Sequence, residues 1–553
     1  MIFQDELDMA KKPSADAQLM QAPKSQDTLA LAISGIAALA YYLYSFKSTG
    51  YYQHDEIAHL INMGEFWDKP SSILGNWPKT GYKLVYAIPA LLGTKFILLL
   101  NCVFAGLASF LAYKTAALFD KRYALLAAVL LATQPMWIEI SFRNYADSFS
   151  GLVLIAAVYF HYKEKWLWAG LLLSFSTLVR QEFFLVAIPY GIFLLTQKRW
   201  LAAFMMGSFP VLYDIWGAIH TGDPLYLWTS SRETSDLYSE QFARHGFFHF
   251  WRMSFVVWGA VTTLLAVVFS IQTIEATATK SIKEKFGQNP WFLLIPALIY
   301  LLIHSLFNWD ALALGASPNL RYMNGIGPVL AVMATVGLAS WEKNRAKPNL
   351  YLIVLVVALL AYAAFAAYEN NGVVLTEEST YTLFFFGVAA VGFLFMKLSV
   401  NTQILVYSGL ALVSGLISLQ PKKPSPEDLA IDSMVKWMVK QNKDDATLFT
   451  NHTVVPYYFD KQAGHLPTHM ESLDSAKIAE APLGSLLIIE SHYSLRMDFP
   501  APSEQVRAEY LQDHDFQKAI NSIIQINNGN YQVVNQFVSK DQRFGAIVLE
   551  KVK

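Results

Sequence analysis

Hydrophobic positions in this chain fall into long unbroken blocks separated by short polar connectors. From residue 29 to residue 419 apolar runs of roughly 15–23 residues recur, some of them shorter, enough for helices to cross the hydrocarbon core of a bilayer. They centre on 28–44, 94–113, 123–138, 149–162, 166–178, 183–195, 200–219, 254–271, 291–307, 322–339, 350–367, 383–396 and 404–419. About thirteen membrane spans are expected. Beyond residue 420 the pattern changes. PKKPSPED reads as a linker opening a helix over PEDLAIDSMVKWMVKQN, whose apolar residues recur at helical spacing. Strand-like runs follow in ATLFTN, GSLLIIES, YQVVNQFV and GAIVLEKV, with helical stretches between them. The expected fold is an α-helical polytopic membrane protein with a small C-terminal α/β domain of about 130 residues. Its parts are a polar segment 1–27, a transmembrane domain 28–420 with a first outer loop over 47–93, and the tail domain 421–553.

Composition supports that class. The 553 residues are 54% hydrophobic, 14% aromatic and 15% charged, against about 25% charged in a soluble domain. A net charge of −1 gives no bulk attraction to nucleic acid. The one cysteine, Cys102, lies inside an apolar run, which excludes an intramolecular disulfide and a zinc-thiolate cluster. Residues 1–27 lack a cleavable-signal pattern, so the first run is expected to act as a retained anchor. Alternate connectors, DKRY, HYKEKW, TQKRW, KSIKEKF, WEKNRAKPN and MKLSVNTQ, are short and basic, which places them in the cytoplasm with residues 1–27. The remaining connectors and the tail then face out. Most of the unusual polar clusters fall on that outer face.

The first of them is HDEIAHLINMGEFW. Ile57, Leu60 and Ile61 recur at helical spacing and predict an amphipathic helix lying on the membrane surface. On it Asp55 and His59 share a face, as do Glu56 and His59 three positions apart. Acids at a helix start are favourable in themselves. Glu-x-x-His is also a metal-ligand spacing that needs partners elsewhere. The third reading is a general base, a carboxylate in a partly desolvated pocket. Other outer loops favour it. Arg143, Asn144 and Asp147 lie in SFRNYADS, Arg180 and Glu182 in TLVRQEFF, Lys79 and Lys83 in NWPKTGYK, and Arg321 with Tyr322 opens RYMNGIGPVLAV. Each alone has a plain reading, as a local ion pair, a solvated loop or a snorkelling interface residue. Together, outer cations facing outer carboxylates suit an anionic lipid headgroup, which arginine grips with a bidentate fork and lysine as a point charge.

In these motifs and their order the chain resembles the GT-C superfamily of integral membrane glycosyltransferases. Within it, the chain is similar to the family-39-type branch of protein O-mannosyltransferases and the lipid A aminoarabinose transferase. The features are Asp55-Glu56 after the first span, NYADS after the third, VRQEF before an apolar run, GDPLYLW with Asp223 in a later outer loop, and NLRYMNGIGPVLAV at a late span. The resemblance implies transfer of a sugar from a polyprenyl-phosphate carrier to an acceptor outside the cytoplasm, a glycan, lipid or protein. It makes Asp55 the general base and Glu56 and Asp147 the groups that orient sugar or acceptor. Arg321 and Arg180, then Lys83, would hold the departing phosphate. Some branches need a divalent cation, Mg or Mn, and here Glu56 and His59 are its candidate ligands. The proline of a His-Pro-Asp-Glu motif is missing after His54, Gln181 stands where many relatives have proline, and no Trp-Trp-Asp motif is present. Those departures blur the sugar and the acceptor.

The rival class is a transporter or flippase of a lipid-linked substrate, whose charges would line a path through the membrane. Transporters commonly carry repeated halves and charges near the midplane. This chain has no internal repeat and keeps its polar clusters in outer loops, which favours an enzyme at the membrane–water boundary. The expected setting is a bacterial inner membrane, with site and tail on the periplasmic side. The tripeptide at Asn451 would also permit glycosylation in an endoplasmic-reticulum lumen.

Overall fold

The computed structural model describes residues 24–46, 54–75, 79–232, 246–309, 319–343, 353–358, 360, 380–418, 424–452, 454–464, 469–473, 475–491, 494 and 529–553. Most of the span expected over 350–367, and most of the tail between GSLLIIES and YQVVNQFV where a helical stretch is expected, lie outside them. The chain divides into two compact units, Met1–Phe46 with Asn62–Pro421, and Lys47–Ile61 with Lys422–Lys553.

The first unit is helical. Among the described residues, five helices are long and apolar enough to cross a membrane: Ser25–Ser45, Thr94–Ala116, Trp200–Thr221, Ala260–Ala278 and Leu320–Lys343. Trp166–Val179, Gln181–Thr196, Trp291–Phe307 and Val400–Leu416 are shorter apolar helices. The run over 123–138, expected as one span, is two helices, Ala124–Ala132 and Pro135–Ser141, bent by 64°. The cause is local. Pro135 opens the second helix without an N–H to give, and Gln134 before it is held extended at φ −62°, ψ 129°. The Leu320–Lys343 segment is buried all round, as a helix apolar on every face should be. It meets Ala260–Ala278 so closely that a Cβ on Gly337 would lie 2.5 Å from the Leu265 carbonyl oxygen. Small residues allow this backbone approach between helices that have no hydrophobic drive to associate in lipid. Phe204, Ile219 and Leu405 stay exposed on the outside of the bundle, as lipid-facing side chains would.

Among its described residues the second unit is a mixed five-stranded sheet with helices. Its strands are β1 Leu448–Phe449, β2 Met470–Glu471, β3 Leu486–Glu490, β4 Tyr531–Val538 and β5 Gly545–Lys551, in the order β2-β1-β3-β5-β4. β1 runs parallel to β2 and β3, while β5 is antiparallel to β3 and β4. The four expected strand runs are therefore present, and β2 is an addition. Along β3, Leu486 and Ile488 enter one apolar cluster, while Leu487 and Ile489 enter another. A strand covered on both faces needs such an uninterrupted apolar run. Pro426–Lys440 forms the expected helix. Ser425 caps it, its Oγ accepting from the Asp428 amide at 3.0 Å while Asp428 Oδ2 accepts from the Ser425 amide at 3.2 Å.

One expectation is corrected. The amphipathic pattern of HDEIAHL predicts a helix on the membrane surface, and the helix is present over His54–Glu65. Ile57 is instead fully buried in the cluster of Ile431, Met434, Val435 and Ile488, with Leu60 and Ile61 packed against it. An apolar stripe of three residues is satisfied as well by a protein core as by lipid, and the pattern alone does not tell them apart.

Candidate functional site

Asp55 and Glu56 both stand in the first turn of His54–Glu65, and burial separates them. Glu56 is fully buried and Asp55 only partly, so Asp55 is the carboxylate that keeps access to solvent. Glu56 lies in the field of Tyr457, whose hydroxyl is pushed up to about 12 by burial first and then by Asp432, Asp428 and Glu56. His59 is fully buried as well. Among the described residues no group of three or more His, Cys, Asp or Glu side chains gathers as a cation site. Glu56 and His59 therefore lack a third ligand of those kinds there, and the pair by itself does not fit a resident cation.

The first unit assembles the other motifs. Arg143, two residues past the helix Pro135–Ser141, pairs with Glu139 at 3.4 Å and lies 4.7 Å from the Tyr145 ring centroid. Arg321 sits on that ring at 3.9 Å and lies 5.6 Å from Tyr322. Arg180 stacks on Tyr322 at 4.4 Å. Three guanidinium groups thus alternate with two phenol rings, each cation over the electron-rich face of an aromatic. Arg180 ends the series between two carboxylates. Its Nη1 pairs with Asp147 Oδ1, and its Nη2 with Glu182 Oε1 at 2.7 Å. FRNYAD, VRQEF and NLRY, up to 178 positions apart in the chain, meet in one cluster. Arg143, Arg180 and Arg321 are all at most 5% exposed.

Backbone geometry sets each member. Asp147 opens the helix Asp147–Tyr162, where a carboxylate is favoured by the helix dipole. Arg180 is the extended joint between Trp166–Val179 and the 3₁₀ turn Gln181–Phe183, at φ −149° and ψ 123°. Arg321 and Tyr322 lie in the 3₁₀ turn Leu320–Ile326, whose cap Asn319 accepts from the Arg321 amide. Lys79 precedes the helix Thr80–Leu91 in left-handed backbone, φ 55°. Lys83 is fully buried, its Nζ donating to Asn62 Oδ1 at 2.6 Å. Asn144 accepts from the Tyr82 hydroxyl on the same helix. Asp223 serves its own turn: its Oδ1 accepts from the Leu225 amide at 2.9 Å, and bonds from Thr229 and that amide hold its pKa below the usual carboxylate value.

Several participants went unselected in the sequence. Glu139 partners Arg143, and Tyr145 carries two of the cations. Asn101 ties the region together: its Nδ2 donates to the carbonyls of Ile140 (3.1 Å) and Arg143 (2.6 Å), while its Oδ1 accepts from Tyr86 at 2.8 Å. The signal available was a polar residue inside an apolar run, as in PMWIEI and LLLNCVF. About 10–20 Å along the helix from Asp147, an apolar cavity of about 180 Å³ opens, lined by Leu154, Val158, His161, Tyr190, Phe193 and Phe292 among others.

Comparison with known proteins adds the following. Residues 83–212 match the family described as dolichyl-phosphate-mannose-protein mannosyltransferase. That stretch carries Lys83, Arg143, Asn144, Asp147, Arg180 and Glu182. No curated protein matches the chain by sequence. The crystal structure of ArnT from Cupriavidus metallidurans bound to undecaprenyl phosphate is 13% identical and superposes with a TM-score of 0.57, over 95% of this chain and 98% of that one. The same protein in the apo state gives 14%, 0.55, 94% and 97%. At such identities the likeness is one of fold, here that of an integral membrane protein. These findings support the GT-C resemblance drawn from the motifs and, at the coarse level, a glycosyltransferase.

Proposed function

We propose that the chain is an inverting glycosyltransferase that moves a sugar from a polyprenyl-phosphate carrier to a hydroxyl-bearing acceptor. Its setting in this reading is a bacterial inner membrane, with the reaction on the periplasmic side. The observation that carries the reading is the cluster in which Arg321 lies between Tyr145 and Tyr322, next to the Asp147–Arg180–Glu182 ion-paired group. A buried guanidinium braced by two rings is preorganised to grip a phosphate oxygen pair. The apolar cavity suits isoprene units, and the ArnT structure of similar fold was solved with undecaprenyl phosphate.

In the reaction so proposed, Asp55 accepts the proton of the acceptor hydroxyl. The oxygen attacks the anomeric carbon, the bond from that carbon to the phosphate oxygen breaks, and the electron pair leaves with the polyprenyl phosphate. Attack and departure on opposite faces invert the anomeric centre, through an oxocarbenium-like transition state. Arg321 stabilises the charge that develops on the phosphate, with Lys83 as a further cation. In this reading Asp147, paired with Arg180, accepts hydrogen bonds from sugar hydroxyls. No step is routed through a metal.

The test is release of polyprenyl phosphate from a panel of polyprenyl-phosphate sugars, by wild type and Asp55→Asn, with crude membrane acceptor, with and without EDTA. Wild-type release that drops by about 10²–10⁴-fold in the variant is expected for loss of a general base. Equal release by both proteins removes Asp55 from that role. Release abolished by EDTA overturns the metal-free mechanism.

A further inference from the structure

His304 lies in the last turn of Trp291–Phe307 and is 1% exposed. Neither of its ring nitrogens has a hydrogen-bond partner among the described residues. Rings surround it: Tyr300 at 4.6 Å, Phe250 at 5.7 Å and Tyr322 at 6.2 Å between centroids. The Tyr300 hydroxyl is already spent on the Tyr322 carbonyl, 3.0 Å away. The charged groups that reach His304 are Glu182 and Arg180 of the ion-paired group. Asn324 lies two positions beyond Tyr322 in the same 3₁₀ turn. It is fully buried, and neither its Oδ1 nor its Nδ2 is hydrogen-bonded among the described residues. Buried polar groups in folded proteins are almost always paired, and orphans mark a place where something else bonds.

The chemistry of the two side chains says what. A neutral imidazole offers one donor and one acceptor, and a carboxamide offers two donors and an acceptor. A phosphate diester only accepts, and would leave the acceptor nitrogen and oxygen unpaired. A hydroxyl both gives and takes a hydrogen bond, and so does its neighbour on a sugar ring. The aromatic walls suit the apolar C–H faces of such a ring. We propose that His304 and Asn324, flanking Tyr322, read the hydroxyls of the sugar being transferred and so set which glycosyl group the enzyme accepts. This deepens the glycosyltransferase reading above and rests on it. Wherever Arg321 grips the phosphate, selectivity among sugars belongs to His304 and Asn324.

The measurement is affinity of the full-length protein for a polyprenyl-phosphate hexose, and for plain polyprenyl phosphate, in wild type, His304→Phe, His304→Gln and Asn324→Ala. Phenylalanine keeps a ring of similar size without hydrogen bonds. His304→Phe is expected to bind the sugar-bearing lipid roughly 10- to 100-fold more weakly, as for an orphaned buried hydroxyl, and the plain lipid within about twofold. His304→Gln should recover most of the loss, and Asn324→Ala should repeat it if His304→Phe does not fold. Equal weakening for both lipids, or none, overturns the proposal. So does a wild type that binds the sugar-bearing lipid no tighter than the plain one. The comparison needs no turnover. A protein that shows the sugar-dependent loss yet releases no polyprenyl phosphate would defeat the transferase reading while leaving His304 as a sugar-binding residue.

Discussion

At the scale of single residues, the arginines differ in what they have been given to hold. Arg180 is shared by Asp147 and Glu182, so its removal leaves a buried and a half-buried carboxylate without their cation. Arg180→Leu should cost about 3–5 kcal/mol, read as a lower unfolding midpoint. Removing Asp147 with it should recover part of that loss. A midpoint unchanged in Arg180→Leu would mean that the ion pair contributes nothing. Arg321 stacks on the rings of Tyr145 and Tyr322. Arg321→Ala is expected to raise KM for the lipid donor by tenfold or more, the order of about 1.4 kcal/mol per decade. Arg321→Lys should rescue only partly, because a point charge neither stacks between two phenol rings nor forks onto two oxygens. Full rescue by lysine would reduce the role of the stack to charge alone.

At the scale of elements, the polar caps of the second unit make a pH prediction. Asp428 is fully buried in the capping box of Pro426–Lys440, and burial pushes its carboxyl up to about 6, against lowering bonds from Ser425. A carboxyl whose pKa is higher folded than unfolded binds its proton more tightly in the native state. Its contribution to stability is complete below the unfolded value of 3.8 and is lost as pH rises through about 6. Unfolding of the full chain followed from pH 4 to pH 7 should show the transition of this unit weakening upward. In Asp428→Asn that slope should flatten. A wild-type slope of the opposite sign would mean that the Ser425 bonds outweigh burial.

At the scale of the whole molecule, the charge pattern of the connectors predicts orientation. A reporter active only outside the cytoplasm, fused after Lys553, should be active, and the same reporter inserted after Lys283 should be silent. The reverse pair of results would put Asp55 and the tail on the cytoplasmic side and remove access to an extracytoplasmic acceptor.

Much of this was legible in the chain itself. Membrane class followed from block length, because a run of about twenty apolar residues has few other uses. The tail strands followed from β-rich runs such as LLIIE, and the Pro426–Lys440 helix from Ser425, Pro426 and Asp428 at its start. Asp55, Arg143, Asp147, Arg180, Glu182 and Arg321 stood out because charge beside or within an apolar block is costly and must have a partner or a purpose. Who those partners are is a long-range matter. That Arg180 pairs with Asp147, that Tyr145 serves both Arg143 and Arg321, and that His304 packs beside Tyr322 depend on helices far apart in sequence. The burial of Ile57 in the tail's core follows the same rule. Local pattern sets which residues must be buried, and only tertiary packing chooses what they are buried against.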